Sequence, residues 1–209
     1  MDIKHAGFIL DRGYFSKENI HYMDKNGYDF IIMMKGMKKA VKEVVLSVKG
    51  KFESSYSNRI ITYGVSGTTV AQPLFPSDSK DRYIHIYYND YKAAAERAEL
   101  ENKIEDLKDT LNKHIGEKVS YGKEVEHYFD LVYWHRGEED QTLTCVVPKT
   151  AVIDEEVSLC GYFTIVTSEK MSAKEALLLY KSRDVSEKLF RGDKSYLGNS
   201  ANRVHSNES

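Results

Sequence analysis

The sequence predicts a mixed α/β fold. Three observations carry that expectation: a strand, helix, strand pattern in the opening segment up to Met34, a long amphipathic stretch from Asn89 to Ile115, and segments rich in Tyr, Phe, Val and Thr between His127 and Thr167.

Gly7-Phe8-Ile9-Leu10 reads as a buried strand that stops at the turn signal Asp11-Arg12-Gly13. A helix follows, with Ser16 as N-cap, Ile20 and Met23 at helical spacing, and Asn26-Gly27 as its stop. The run from Tyr28 to Met34 is almost uninterrupted in apolar residues and suits a strand covered on both faces. Strand, helix and strand over so short a stretch form a right-handed parallel crossover by default.

Beyond Gly36 the pattern changes. Lys38 to Val48 is expected as a basic amphipathic helix, Arg59 to Val70 as strand punctuated by Gly64 and Gly67, and Arg82 to Tyr88 as an alternating strand after a loop bracketed by Pro73 and Pro76. Asn89 or Asp90 caps the next helix, in which Leu100, Ile104, Leu107, Leu111 and Ile115 share one stripe and Gly116 ends the run. That stripe is expected to pack within its own domain. His127 to His135, Gln141 to Val147 and Gly161 to Thr167 read as strands, the first two joined by Gly137-Glu138-Glu139-Asp140. The last helix runs from Ser172 to about Arg191. Ser172 and Glu175 make a capping box, Ala176, Leu177, Leu179 and Tyr180 begin its apolar face, and Gly192 closes it. The polar stretch from 196 to 209 is expected to be cut off before another element.

Composition narrows the function classes. A hydrophobic fraction of 41% with only 3 prolines in 209 residues describes a globular chain with room for one substantial domain or a core with an insertion. No apolar run approaches the roughly 18 residues of a membrane span, and the start lacks the features of a signal peptide, so a cytoplasmic protein is expected. Cys145 and Cys160 have no CxxC spacing and no histidine cluster beside them, which argues against zinc; both are expected to be reduced and buried. The net charge of -2 does not advertise nucleic-acid binding, but the charge is uneven: Lys35, Lys38, Lys39, Lys42, Lys49 and Lys51 face only Glu43 between positions 35 and 51. Such a stretch can track a DNA backbone or simply be a solvated helix face.

The residues that carry chemistry lie in the last helix. Tyr180, Arg183, Glu187 and Lys194 fall within one narrow sector at about 100° per residue, so one face presents a phenol, a guanidinium, a carboxylate and an ammonium. Arginine grips phosphate in a bidentate fork, lysine supplies point charge, and a carboxylate among cations can hold a hard metal. A helix ending at Gly192 leaves Lys194 on a turn, where that angle no longer applies.

The pattern Tyr-(2)-Arg-(3)-Glu-(6)-Lys, complete at Tyr180, Arg183, Glu187 and Lys194, resembles the signature of the DDE transposases of the bacterial insertion sequence family four group. The flanks agree, from Gly161-Tyr162-Phe163 through Ser168 and Glu175-Ala176 to Glu187-Lys188. Asp11-Arg12-Gly13-Tyr14 after an apolar strand resembles the segment that holds the second catalytic aspartate of that family. The resemblance implies a ribonuclease H-like core, partial here and interrupted by a large β-rich insertion with a long helix. The divisions are then 1–37 for the first part of the core, 38–160 for the insertion, 161–195 for the return to the core and 196–209 for the tail. It also implies that Asp11 and Glu187 are metal-binding catalytic carboxylates, and that the reaction is phosphoryl transfer with two Mg2+ or Mn2+ ions about 3.5–4 Å apart.

The same resemblance implies double-stranded DNA partners, transposon ends and target, a homodimer in the synaptic complex, a bacterial cytoplasmic location with nucleoid association when DNA is bound, and no membrane. The family's first aspartate lies well upstream of the second, and Asp2 is too close to Asp11 to serve, so the isolated chain is expected not to cleave DNA. Trp134, the only tryptophan, could stack on a base flipped out of a transposon end or could be ordinary strand packing. The expected DNA-binding residues are Tyr180, Arg183, Lys194, Trp134, Lys38, Lys39 and Lys42. Two other readings stay open: a non-catalytic DNA-binding module left from a transposase, and a dimerisation module built on the Asn89 to Ile115 helix.

Overall fold

The computed structural model describes residues 7–34, 39–135 and 141–183. In chain order the elements are β1 (Gly7–Leu10), α1 (Lys17–Lys25), β2 (Asp29–Met33), α2 (Lys39–Val48), β3 (Arg59–Ile60), β4 (Val65–Pro73), β5 (Asp81–Tyr88), α3 (Asp90–Lys113), α4 (Lys123–Tyr128), β6 (Phe129–His135), β7 (Gln141–Pro148), α5 (Thr150–Val157) and β8 (Tyr162–Thr167). A last helix, α6, covers residues 173–183. These form two compact units, one drawn from 1–44, 67–87 and 164–209, the other from 45–66 and 88–163.

In the first unit, β1 and β2 pair in parallel, Gly7 opposite Asp29 through Leu10 opposite Ile32, with α1 as the connection. The local chemistry is as the sequence indicates. Ser16 accepts from the Asn19 amide at 3.2 Å to cap α1, Ile20 and Met23 are buried, and Gly27 at φ 66 takes the left-handed turn that ends it. Phe30, Ile31 and Ile32 are all buried, as a strand covered on both faces requires. Each such side chain contributes about 1.5–3 kcal/mol of burial free energy.

β1 corrects one expectation. It is not buried: Phe8 is 40% exposed, and Ile9 and Leu10 are only half covered. Among the described residues the sheet order is β1–β2–β8–β5–β4–β3, so β1 lies at a sheet edge with a strand on one side only.

β8 runs antiparallel to β2, Ile31 opposite Thr167 and Met33 opposite Ile165, and Ser168 extends the pairing by accepting from the Phe30 amide at 2.9 Å. On β5, His85 is fully buried between two threonines, with Nδ1 2.9 Å from Thr69 Oγ1 and Nε2 3.0 Å from Thr167 Oγ1. Thr167 donates its proton to the Glu169 carbonyl at 2.7 Å, so its oxygen accepts from His85 Nε2–H, and Nδ1 accepts from Thr69. Burial holds this imidazole neutral, its pKa pushed down to about 4.

In the second unit, β3 pairs antiparallel with Val65 and Ser66. The strand expected from Arg59, punctuated by Gly64, is interrupted earlier as well: a 3-10 turn covers Ile61–Tyr63 and ends on Gly64 in the left-handed region at φ 61. α3 starts where expected: Asn89 accepts from the Lys92 amide at 2.7 Å. Ile104 and Leu111 are buried with Val125, Tyr128 and Phe129, and Leu100 and Leu107 pack against them, so the stripe is consumed inside its own unit. Ile115 leaves the stripe at 45% exposed because the helix ends at Lys113.

Two further expectations are corrected in this unit. His127 lies in α4 rather than in a strand, because Val125 and Tyr128, three apart, bury one side of a single helical turn before β6 begins at Phe129. The cysteines are free, but Cys145 is exposed and Cys160 half-buried. Cys145 sits opposite Val132 on the solvent-facing side of the β6–β7 hairpin, away from Leu143, which is buried. The helix α5 had no counterpart among the expected elements.

Candidate functional site

Asp11 stands immediately after β1, at the carboxyl end of a parallel strand pair, where open α/β sheets gather their ligand groups. Its backbone is extended, and it caps the 3-10 turn Arg12–Tyr14: Oδ1 accepts from the Arg12 amide at 2.6 Å and its carbonyl accepts from the Tyr14 amide at 3.0 Å. The Asn19 side chain donates to the Tyr14 carbonyl at 2.9 Å, tying this turn to α1. Phe15 packs against Phe75, which also meets the edge of His21, and His21 is 2.9 Å from Asp78. The turn is therefore anchored on several sides while the Asp11 carboxylate itself stays 61% exposed.

α6 approaches from the other end of the sequence. Its start is fixed by the capping box. The Glu175 amide donates to Ser172 Oγ at 3.2 Å, and the Ser172 amide and hydroxyl donate to the Glu175 carboxylate at 2.8 and 2.7 Å. The Ser172 hydroxyl and amide hold that carboxyl below its ordinary range. The Tyr87 phenol donates to the Ala173 carbonyl at 2.8 Å, with Tyr87 fully buried. Beside them, a Cβ on Gly67 would come within 2.9 Å of the Tyr87 ring and 3.1 Å of the Ala173 Cβ, so only glycine admits this approach. Ala173, Ala176, Leu177 and Tyr180 are buried, at the three- and four-residue spacing of one helix face.

Arg183 comes next on that face. Its guanidinium lies over the Tyr180 ring, 5.0 Å from the centroid, and Nη1 is 3.6 Å from Asp11 Oδ1. The fold thus brings together three of the residues named from sequence: Asp11, Tyr180 and Arg183. Tyr180 is only 3% exposed, so its ring meets Arg183 rather than solvent. Glu187, Lys194 and Lys38 lie outside the described residues, as does the turn at 137–140.

The other expected contacts are in different places. Lys39 and Lys42 are in α2. Trp134 lies on β6 opposite Thr142 and is 56% exposed, on the same open side as Val132. A separate cleft of about 630 Å³ in the second unit is lined by Lys49, Glu53, Asp90, Arg97, Cys160 and Tyr162 among others. Glu53 is committed there: its carboxylate accepts from the Gly50 and Phe52 amides at 2.9 and 3.0 Å and from the Tyr162 phenol. Burial raises its pKa, but the Tyr162 phenol and the Gly50 amide outweigh that and hold it below the ordinary carboxylate range.

Among the described residues, no group of three or more His, Cys, Asp or Glu side chains is placed to hold a metal ion. Of Asp11, Tyr180 and Arg183, it is Asp11 that carries a carboxylate oxygen of the kind Mg2+ or Mn2+ takes. The residues that sequence reasoning missed are Tyr87, Gly67 and Asn19, which position the site without touching it. Gly67 was legible only as a break in a strand.

The described residues thus place an aspartate at the end of a parallel strand pair beside an arginine on the neighbouring helix. The sequence matches the family model of the transposase DDE domain over residues 1–209, and the chain belongs to that family. No curated protein and no solved structure matches it. No helix among the described residues is long and apolar enough to cross a membrane.

Proposed function

We propose that this chain carries catalytic residues of a cut-and-paste DNA transposase of the bacterial insertion sequence family four group, acting at transposon ends by divalent-ion-dependent phosphoryl transfer. The observation that supports this best is the approach of Arg183 to Asp11: the helix bearing Tyr180 and Arg183, the first two residues of the Tyr-(2)-Arg-(3)-Glu-(6)-Lys motif, comes to the aspartate after β1. By the helical spacing read from the sequence, Glu187 belongs one turn beyond Arg183 on the same face.

In this reading Asp11 and Glu187 hold the divalent ions of a ribonuclease H-like core, and those ions, two in the complete enzyme, supply activation of the attacking hydroxyl and stabilisation of the leaving 3'-oxygen. Arg183 forks onto a DNA phosphate, with Tyr180 acting through it as the platform beneath the guanidinium. Lys194 adds charge. Trp134 stacks on a base at the transposon end, and Lys38, Lys39 and Lys42 follow the backbone. Residues 38–160 serve as the insertion that grips DNA, and the working assembly is a homodimer on paired ends in the bacterial cytoplasm. The 209 residues taken alone are expected not to cut, since their motifs bring two carboxylates.

The test is binding to DNA taken from either side of the reading frame that encodes the chain. We expect preference for those fragments over unrelated DNA of equal length, weakened by salt, with no nicking in Mg2+. Equal binding to both kinds of fragment, or none, would sink the reading; nicking of the flanking DNA would overturn its last clause. The alternative of a dimerisation module on α3 is not favoured, because Ile104 and Leu111 are buried in their own unit.

A further inference from the structure

The cleft of about 630 Å³ is formed entirely within the second unit, and a smaller one of about 480 Å³ adjoins it, the two sharing Glu53, Ser54 and Asp90. A space of this size takes a small organic molecule. Its walls are fixed by the chain itself. On one side Glu53 accepts from the Gly50 and Phe52 amides, the Ser66 hydroxyl donates to the Glu53 carbonyl at 2.6 Å, and Phe52 is buried with its ring 6.4 Å from that of Tyr162. On the other, the Gly161 amide donates to Glu96 at 2.8 Å and holds the first turns of α3 in place. The Tyr88 and Tyr162 rings, 4.9 Å apart, make an aromatic wall, with Ala93 and Ala94 as small apolar neighbours.

The hydrogen-bonding groups left open in this cleft are donors. Both carboxylates are engaged by the chain: Glu53 by two amides and the Tyr162 phenol, Asp90 by Arg59 at 3.3 Å. Arg97 uses its Nε on Glu101 at 2.8 Å, which leaves its two terminal nitrogens. The Lys49 ammonium, the Ser54 hydroxyl and the Tyr88 phenol have no hydrogen-bond partner among the described residues. Burial, with the charges of Asp90 and Glu53, pushes the Tyr88 pKa up, so this phenol keeps its proton and stays a donor. Two cations and two hydroxyls beside an aromatic wall call for a ligand with several anionic oxygens and a planar body.

We infer that this cleft binds a nucleoside monophosphate, its phosphate taken by Lys49 and Arg97 and its base lying against Tyr88, Ala93 and Ala94. The same group is presented by a free nucleotide and by the phosphorylated 5' end of a DNA strand. The site is independent of Asp11 and Arg183.

The chain carries its own reporters, since Cys160 lines the cleft and is half-buried while Cys145 is exposed on the β6–β7 hairpin outside it. Adenosine monophosphate, raised to about 5 mM so that a Kd near about 1 mM registers, should slow alkylation of Cys160 by iodoacetamide and leave Cys145 unaffected. Lys49→Met and Arg97→Met should each raise the Kd read from that protection by on the order of tenfold, as loss of a charged hydrogen bond does. Arg97→Gln replaces Arg97→Met if the latter fails to fold. Lys49→Arg, which keeps the charge, should stay within about threefold. Lys108→Met, which removes a cation of α3 outside the cleft, should change nothing.

A duplex carrying 5' phosphates, compared with the same duplex without them, reads the second source. Protection by the nucleotide assigns the cleft to free nucleotides; protection by the phosphorylated duplex alone assigns it to strand ends. Cys160 labelling that ignores both would overturn the inference. So would protection that is unchanged in Lys49→Met and Arg97→Met, or weakened as much in Lys108→Met.

Discussion

The Tyr87 phenol donates a 2.8 Å hydrogen bond to the Ala173 carbonyl, and this bond joins the end of β5 to the first residue of α6. Tyr87 is fully buried, so Tyr87→Phe would remove a hydrogen bond that water does not replace. We expect a loss of about 0.5–1.5 kcal/mol in urea unfolding. The added Cβ of Gly67→Ala would press on the same tyrosine and alanine, with an expected cost of about 1–3 kcal/mol. Because both changes act on one contact, the double variant should be less destabilised than the two costs added together, which a double-mutant cycle measures.

His85 should impose a pH dependence on folding. Its folded pKa is lowered from 6.5 to about 4, so between those values the unfolded chain binds the proton and the folded chain does not. Stability is therefore full above pH 6.5 and falls as pH drops toward 4, by roughly 3 kcal/mol if the whole shift is realised. Urea midpoints across that window should decline in the unsubstituted chain and flatten in His85→Gln. An equally steep decline in the variant would assign the effect to other groups.

Trp134 separates stability from binding. At 56% exposed it buries little, so Trp134→Ala should change unfolding free energy by no more than about 0.5 kcal/mol. If it stacks on a base, the same change should weaken DNA binding by about 1–3 kcal/mol, and DNA should quench the chain's indole fluorescence. Unaltered affinity would return this residue to ordinary strand surface.

Gly161 admits no side chain. It has φ 87, and a Cβ there would lie 2.5 Å from the Ala93 Cβ and 2.8 Å from the Asn89 carbonyl oxygen. Its amide also donates to Glu96 at 2.8 Å, and its carbonyl accepts from the Asn89 amide at 3.1 Å. Gly161→Ala combines left-handed strain with overpacking, for an expected loss of about 2–5 kcal/mol in denaturant unfolding. A loss below about 1 kcal/mol would mean that α3 shifts to make room at little cost.

Lys39 and Lys42 test the backbone-tracking role of α2. If each neutralises a phosphate, replacing either by alanine should reduce the slope of log affinity against log salt by about one. An unchanged slope would leave α2 as a solvated basic helix.

The local devices of the fold were legible in the sequence because their causes are local. Ser16 capping α1, Asn89 capping α3, and Ser172 with Glu175 starting α6 each depend on residues within one helical turn, and each forms as its residue types dictate. The apolar run through Phe30, Ile31 and Ile32 likewise announced a strand covered on both faces. The α4 turn was hidden because Tyr and Phe beside it suit a strand equally well, and only burial of Val125 with Tyr128 decides for helix. The exposure of β1 and Cys145 was hidden for a related reason: an apolar pattern states what can be buried, while sheet position and strand face determine what is. At the site, the sequence supplied Asp11, Tyr180 and Arg183 as chemistry and order. Their meeting was decided by tertiary contacts, in which Gly67, Tyr87 and Ala173 fix where α6 begins and so where, along its buried face, the Arg183 charge arrives beside Asp11.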